Sequence, residues 1–352
     1  MSESPTLREV PFESRSWTWL TAAPTPTEHL GRRCVRLTGS GTIEDVELVD
    51  GLIEVDLAVG PERGFHGVVW RARDDENFES FFVRPHQVGN PDAVQYTPVF
   101  NGISSWQLYH GPGFWAPVSF PLEAWFRLRV VFRGERAEVY VGDMDEPALA
   151  IRELKGPVAS GRVGVFAGGP AIHVAGFAYD TSGSVALRGA APPPVASLDG
   201  VVPAWWVSDA FAEEALGRGS ALDRGLLGAR TWSRLTSEPA GLADLSRVNR
   251  LRDGRNTVFA RCAIRSTRAQ ARRLSLGFSD RAVVYLNGRA LYEGDDTYRS
   301  RDYRFLGSIG WFDTLHLPLE EGVNELVVAV SEDLGGWGVQ ARLDDLAGIT
   351  FE

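Results

Sequence analysis

Apolar residues along this chain recur at every second position far more often than at helical spacing. Ile53, Val55, Leu57 and Val59 alternate with Glu54, Asp56 and Ala58, the pattern of a strand with one wet face. Phe126, Leu128, Val130 and Phe132 alternate with Arg127, Arg129 and Val131. Past Gly134-Glu135-Arg136 the pattern resumes at Ala137, Val139 and Val141, which predicts a hairpin. In the second half, Val258, Ala260, Cys262 and Ile264 mark one strand, Leu274, Leu276 and Phe278 another, and Leu326, Val328 and Val330 a late one. Val284 and Leu286 run into Asn287-Gly288, which suits the two positive φ angles of a type I′ turn. Helical signal is confined to residues 208–216, with Ser208 as N-cap and room for one or two turns. Many short strands between Gly and Pro turns predict an all-β chain built from β-sandwiches.

The pattern breaks at residues 181–200, where Pro192, Pro193 and Pro194 interrupt a run of small residues. Such a segment reads as a semi-rigid linker. The expected organisation is a sandwich over residues 1–182, a Pro-rich linker over 183–200 and a second sandwich over 201–352. A length of 352 residues gives each half enough chain for its own core.

Composition narrows the partners. With 46 acidic residues against 36 basic ones, the net charge is -10, which argues against a nucleic-acid partner. No stretch approaches the ~20 apolar residues of a spanning helix, so no membrane partner is expected. The polar start, MSESPTLR, has no apolar h-region, so the cytoplasm is the expected compartment, or an exported one had a leader been trimmed. Cys34 and Cys262 fall in different halves and read as buried thiols, and Lys155 is the only lysine.

Candidate chemistry concentrates in residues 79–115. Arg84, His86, Gln87, Asn90, Asp92, Gln95, Tyr96, Asn101, Trp106, Tyr109 and His110 combine amide, carboxylate and guanidinium groups with flat rings. Sugar hydroxyls want bidentate partners and sugar C–H faces stack on indoles, so this mixture suits a saccharide or a small polar ligand. The same residue types also make ordinary turns and sandwich core. If the chain is an enzyme, Asp92, His86 and Arg84 are the candidates for acid/base, proton shuttle and anion clamp. Glu54 and Asp56, two apart on one strand, form the most tempting carboxylate pair, although as residues of a wet face they read as solvated. No histidines have the close spacing of a metal motif.

The runs GLIEVDLAVG, GFHGVVWRARDDENFESFFVRP, WFRLRVVFRGERAEVYVGD and GRVGVFAG resemble the concanavalin A-like jelly roll of laminin-G-type and glucanase-type domains, across most of residues 10–180. In the retaining glucanases of that fold the catalytic strand reads Glu-x-Asp-x-x-Glu. The corresponding run here, Glu54 to Gly60, lacks the second glutamate, the acid/base. The second half, with Asn287-Gly288, then Gly322, Asn324 and Leu326, and Trp337, resembles the galactose-binding-like jelly roll attached to many β-galactosidases. The two resemblances imply two jelly-roll domains in tandem that meet glycans, the second seldom catalytic and binding saccharide at its loop tips or bracing a neighbour.

Candidate ligand groups in the second half are Asp280, Tyr298, Arg299, Arg301, Asp302, Trp311, Asp333 and Trp337. The glycines around Trp337 (GGWG) leave its indole open for stacking or let a strand pass close by. The resemblance also implies a structural calcium, for which Asp209, Glu213, Asp344 and Asp345 are conceivable donors; no other cofactor is expected. The leading expectation is non-catalytic glycan recognition. The rivals are an enzyme acting on a sugar-like molecule at the concave face of the first domain, and a scaffold that forms a homo-oligomer.

Overall fold

The structure is a computed structural model that describes residues 6–181, 186–190, 192–217 and 219–352. Part of the expected linker, residues 183–185 and 191, and the first five residues of the polar start lie outside this set. The chain is all-β, and its strand pairs are antiparallel. It forms two compact units: residues 1–99 with 109–194, and residues 100–108 with 195–352. Residues 100–108 thus belong to the second unit although strand pairs of the first unit flank them in sequence.

In the first unit, the long strand Gly161–Asp180 joins two layers. Its first half pairs with Phe65–Asp74, its second half with Gly51–Ala58, and Arg32–Leu48 runs beside both halves. Register shifts between Arg162 and Gly164 and between Ala167 and Ile172 bend it from one layer into the other. The expected hairpin is present: Trp125–Arg133 pairs with Arg136–Val141 across Gly134-Glu135. Ile53, Val55, Leu57, Leu128, Val130, Phe132, Val68, Trp70 and Phe81 meet between the layers in one core.

The second unit stacks two sheets. One runs Trp232–Thr236, Ala204–Ser208, Thr257–Ser266, Gly322–Ser331, Arg281–Leu286, Arg289–Asp295; the other runs Leu242–Asp244, Gly338–Leu343, Gln270–Ser279, Asp313–Leu319. The alternating residues of both sheets, among them Val258, Cys262, Leu276, Phe278 and Val328, share one core. Asn287 and Gly288 have φ of 51° and 81°, and Leu286 pairs with Arg289, so the predicted two-residue turn forms. The expected helix over 208–216 is replaced by the end of a strand and a 3-10 turn at Glu213–Leu216; a short α-helix forms instead at Arg224–Gly228, capped by the Asp223 carboxylate. Ser208 serves the sheet, its hydroxyl accepting from the Phe259 N–H, so it caps no helix.

Candidate functional site

The outer face of the Gly51–Ala58 layer carries the densest polar chemistry of the first unit. Pairing on both sides of this strand sets up three rows. Trp125 lies opposite Ala58, and Ala58 opposite His173; Arg127 lies opposite Asp56, and Asp56 opposite Ala175; Arg129 lies opposite Glu54, and Glu54 opposite Ala178. Side chains two apart on a strand share a face about 7 Å apart, so Trp125, Arg127 and Arg129 form a line over the two carboxylates.

The expected wet face is not wet. Glu54 and Asp56 are 2% and 5% exposed, because arginines from neighbouring strands cover them. Arg127 Nε lies 2.8 Å from Asp56 Oδ1 and its Nη1 lies 3.4 Å from Glu54 Oε2, while Arg129 pairs with Glu54. From the far side, Arg32 Nη2 reaches Asp56 Oδ2 at 2.7 Å. Small residues make that reach possible. A Cβ on Gly176 (φ 61°) would meet Arg32 Nη2 at 3.1 Å and Asp56 Oδ2 at 3.2 Å, so glycine suits both the turn of the backbone and the space above it.

Aromatic groups border the ion network. The Trp125 indole, half-buried, donates to the His29 carbonyl at 3.3 Å, and the Arg32 guanidinium lies 5.0 Å from its ring centre. His29 and His173 stack at 3.8 Å. Burial, then the neighbouring His29 and Arg36, lower the pKa of His173 and favour its neutral form. Beside this face, the edge of Gly161–Asp180 is open between Val174, where pairing with Arg32–Leu48 ends, and Phe177, whose carbonyl accepts from the Val10 N–H next to the Arg8–Glu9 pairing. A cavity of about 460 Å³ sits there, lined by Glu9, Glu13, Thr27, Arg33, Cys34 and Gly176 among others. Burial raises the Cys34 thiol above its ordinary pKa, so it is no activated nucleophile.

The electrostatics limit the chemistry. Burial would raise the Asp56 carboxyl, but hydrogen bonds and charge from Arg127 and Arg32 outweigh it and hold the group below the usual carboxylate range. Removing the carboxylate with Asp56→Ala leaves three guanidinium groups around one remaining anion. The expected loss is about 1–2 kcal/mol, held down because Arg32 and Arg127 keep partial access to solvent; chemical denaturation of the variant measures it.

The residues expected from sequence fall elsewhere. Arg84 is buried, donates to the Asp92 carbonyl at 2.6 Å and to Gln95, and burial lowers its pKa to about 10. It therefore ties Asp92 and Gln95 together as a structural clamp. His86 is half-buried against the Phe65 ring, with its pKa lowered by burial and by Arg63 and Arg84. Gln87 and Asn90 bond each other. Tyr96 and Tyr109 are core residues, and the Tyr96 hydroxyl donates to Glu79. His110 lies beside Trp115. Asn101 and Trp106 belong to the second unit.

In the second unit, Arg301 pairs with Asp296 and Asp313, Asp302 with Arg304, and Arg299 stacks on Tyr298. Trp311 is 36% exposed, next to Phe312 at 49%. Trp337 is wholly buried, its indole donating to the Val330 carbonyl at 3.0 Å, which corrects the expectation that it could stack on a ligand. Asp280 is buried, and Asp333 pairs with Arg281. Asp209, Glu213, Asp344 and Asp345 each pair with a different arginine, so they do not converge as calcium donors; among the described residues no three acidic, histidine or cysteine side chains form a metal cluster. Sequence reasoning named Arg127 and Arg129 only as strand residues and missed Arg32, Trp125, His29 and His173. The alternation of arginines in one strand with that of carboxylates in another was the available signal.

No family model matches the chain, and no curated protein matches it. Among solved structures, a carbohydrate-binding module, CBM66, from Bacillus subtilis is 18% identical over 48% of this chain and 99% of its own, with a TM-score of 0.36. A putative glycosyl hydrolase from Parabacteroides distasonis is 10% identical over 47% of this chain and 88% of its own, with a TM-score of 0.34. A protein of unknown function with a galectin-like fold, also from Bacillus subtilis, is 11% identical over 49% of this chain and 94% of its own, with a TM-score of 0.35. Likenesses of this size fix neither a ligand nor an activity.

Proposed function

We propose that the protein binds carbohydrate through the outer sheet face of its first unit, and that it does so without cleaving a glycosidic bond. The carrying observation is the line of Trp125, Arg127 and Arg129 over Asp56 and Glu54. A half-buried indole, with the Arg32 guanidinium over its ring, stands next to charged groups whose spacing the sheet register fixes. A sugar ring offers a C–H face to the indole and vicinal hydroxyls to the guanidinium groups that the buried carboxylates hold in place, and a rigid sheet lowers the ordering cost of binding. The resemblance of the first half to concanavalin A-like domains points the same way.

The carboxylates support the non-catalytic part. Glycoside hydrolysis needs one carboxyl group that keeps its proton near neutral pH while a second is ionised. Asp56 is pushed the opposite way, and Glu54 is bound by two arginines. Asp56 thus stays ionised and offers no proton, and the pair serves to position the arginines above it.

Calorimetric titration of the full chain against a panel of soluble oligosaccharides tests the reading. Trp125→Ala is expected to weaken binding at least about tenfold, the value of one lost stacking platform. A folded protein that binds no saccharide at millimolar concentration, or a Trp125→Ala variant with unchanged affinity, would sink it. Release of reducing ends from a bound oligosaccharide would overturn the non-catalytic half alone.

A further inference from the structure

Two deeply buried carboxyl groups in the second unit hold a single loop. Asp280 and Glu332 are 2% and 1% exposed. Asp280 Oδ2 accepts from the Asp333 and Leu334 N–H groups at 2.8 and 3.2 Å, and Glu332 Oε1 accepts from the Gly336 N–H at 3.0 Å. Acid side chains thus tie down residues 332–336. The other two oxygens, Asp280 Oδ1 and Glu332 Oε2, are buried without a hydrogen-bond partner. Ionised in that position, the groups have neither water nor a further donor to offset their charge, whereas a proton removes the charge at its source.

The charges facing the pair do not neutralise it. Asp280 faces Asp333 and Arg281, and Glu332 faces Asp280, Asp333 and Asp244. Arg281 is the one cation among them, and it is engaged by Glu213 at 2.7 Å and by Asp333 at 2.6 Å. Asp244 in turn faces Arg247 and Glu238. Each member of the pair therefore makes ionisation of the other harder. The loop above them is thin: Leu334 is 64% exposed and the Asp333 side chain 56%, so water reaches both carboxyls once the three N–H groups let go.

The same loop holds a second segment. The Gly335 carbonyl accepts from the Gln107 N–H at 2.8 Å, and a Cβ on Gly336 would meet the Leu108 side chain at 2.8 Å and the Ser105 backbone at 3.1 Å. We infer that residues 332–336 form a proton-operated latch on residues 105–108, closed while Asp280 and Glu332 are protonated and opened when the pair ionises and draws water in. Opening releases the Gln107 N–H. Trp337 stays in the core, so the event is local and distinct from unfolding of the unit. Burial, reinforced by the neighbouring acids, raises both groups, Asp280 to about 6, so the closed loop is favoured in acid and the open one gains as pH rises through that value.

Hydrogen-exchange mass spectrometry on the full chain tests this, with each rate divided by the intrinsic chemical rate at the same pH to give a protection factor. Between about pH 5 and about pH 7.5, protection over residues 331–337 and 104–109 is expected to fall at least about tenfold, the factor that one pKa unit carries. The central strand Gly322–Ser331, paired on both sides, is expected to change far less at Val328. The double variant Asp280→Asn/Glu332→Gln keeps both acceptor oxygens and is expected to hold the loop's protection constant to within about threefold across the same range. A loop whose protection does not fall, or falls only in step with Val328, would overturn the latch, and so would a folded double variant that loses as much protection as the unaltered chain. Should the double variant fail to fold, the comparison of loop and strand in the unaltered chain still decides it.

Discussion

Trp337→Ala is expected to cost the second unit about 3–5 kcal/mol, the usual range for deleting a buried indole from a packed core. The side chain is 0% exposed and packs with Leu276, Phe278 and Val330 between the two sheets. Its N–H is satisfied by the Val330 carbonyl, so truncation also removes a buried hydrogen bond. Trp337→Phe, which keeps most of the volume and loses the N–H, is expected to cost about 1–3 kcal/mol. Urea unfolding monitored by circular dichroism measures both; a loss below about 1 kcal/mol for the alanine variant would contradict the core assignment.

The glycines around Trp337 have a structural reason that the sequence alone left between two readings. Gln107 donates its backbone N–H to the Gly335 carbonyl, and a Cβ on Gly335 would fall 2.3 Å from the Gln107 side chain. The Gln107 amide also donates to the Leu306 carbonyl and accepts from the Ser279 hydroxyl. GGWG is thus the place where residues 105–108 pass close to the second unit's sheet. Nothing in the local pattern of residues 100–108 signals that they belong with a partner more than a hundred positions away, because that contact is set by tertiary packing.

Other features were readable for definite reasons. Strand identity follows from period-two alternation, and the Asn287-Gly288 turn from the φ angles only such residues adopt easily. The failure at Glu54 and Asp56 is equally instructive. Alternation shows that these side chains face away from the core, but not that Trp125–Arg133 and Arg32–Leu48 bring three arginines over them. The short apparent helix at 208–216 failed because Ser208 is needed at a sheet edge, where its hydroxyl satisfies a strand N–H. Arg84, His86 and Asp92 are indeed neighbours, yet the buried guanidinium spends its donors on the Asp92 carbonyl and Gln95. Residue type pointed to chemistry there, and hydrogen-bond satisfaction turned it into architecture.

The two units are expected to respond to pH in opposite directions. In the second unit, burial pushes Asp244 and Asp280 up to about 6 and raises Glu332 well above its ordinary value, with the neighbouring acids adding to the shift at Asp280 and Glu332. The unfolded chain releases these protons near pH 4, whereas the folded unit keeps those of Asp244 and Asp280 to about pH 6. The contribution of Asp244 and Asp280 to stability is therefore full below about pH 4 and falls as pH rises through about 6, and Glu332 acts in the same direction. For Asp280, a rise from 3.8 to about 6 corresponds to a loss on the order of 3 kcal/mol. In the first unit, Asp56 is lowered, so its contribution is present above about pH 4 and is lost as pH falls through its depressed value. Glu213 and Asp333, both lowered chiefly by Arg281, oppose the trend of their own unit in the same acid range.

Asp280→Asn isolates the effect. Asp280 Oδ2 accepts from the Asp333 and Leu334 N–H groups, and the amide oxygen of asparagine can keep that role. The variant is expected to lose much of the stability decline between about pH 4 and 6 and to unfold at higher denaturant than the unaltered chain at pH 7. Denaturation series from about pH 3.5 to 7.5 on both proteins read this directly. Parallel curves for variant and parent across that window would show that Asp280 titrates as an ordinary carboxylate and that its burial costs nothing; convergence below about pH 4 with divergence above it is the expected result.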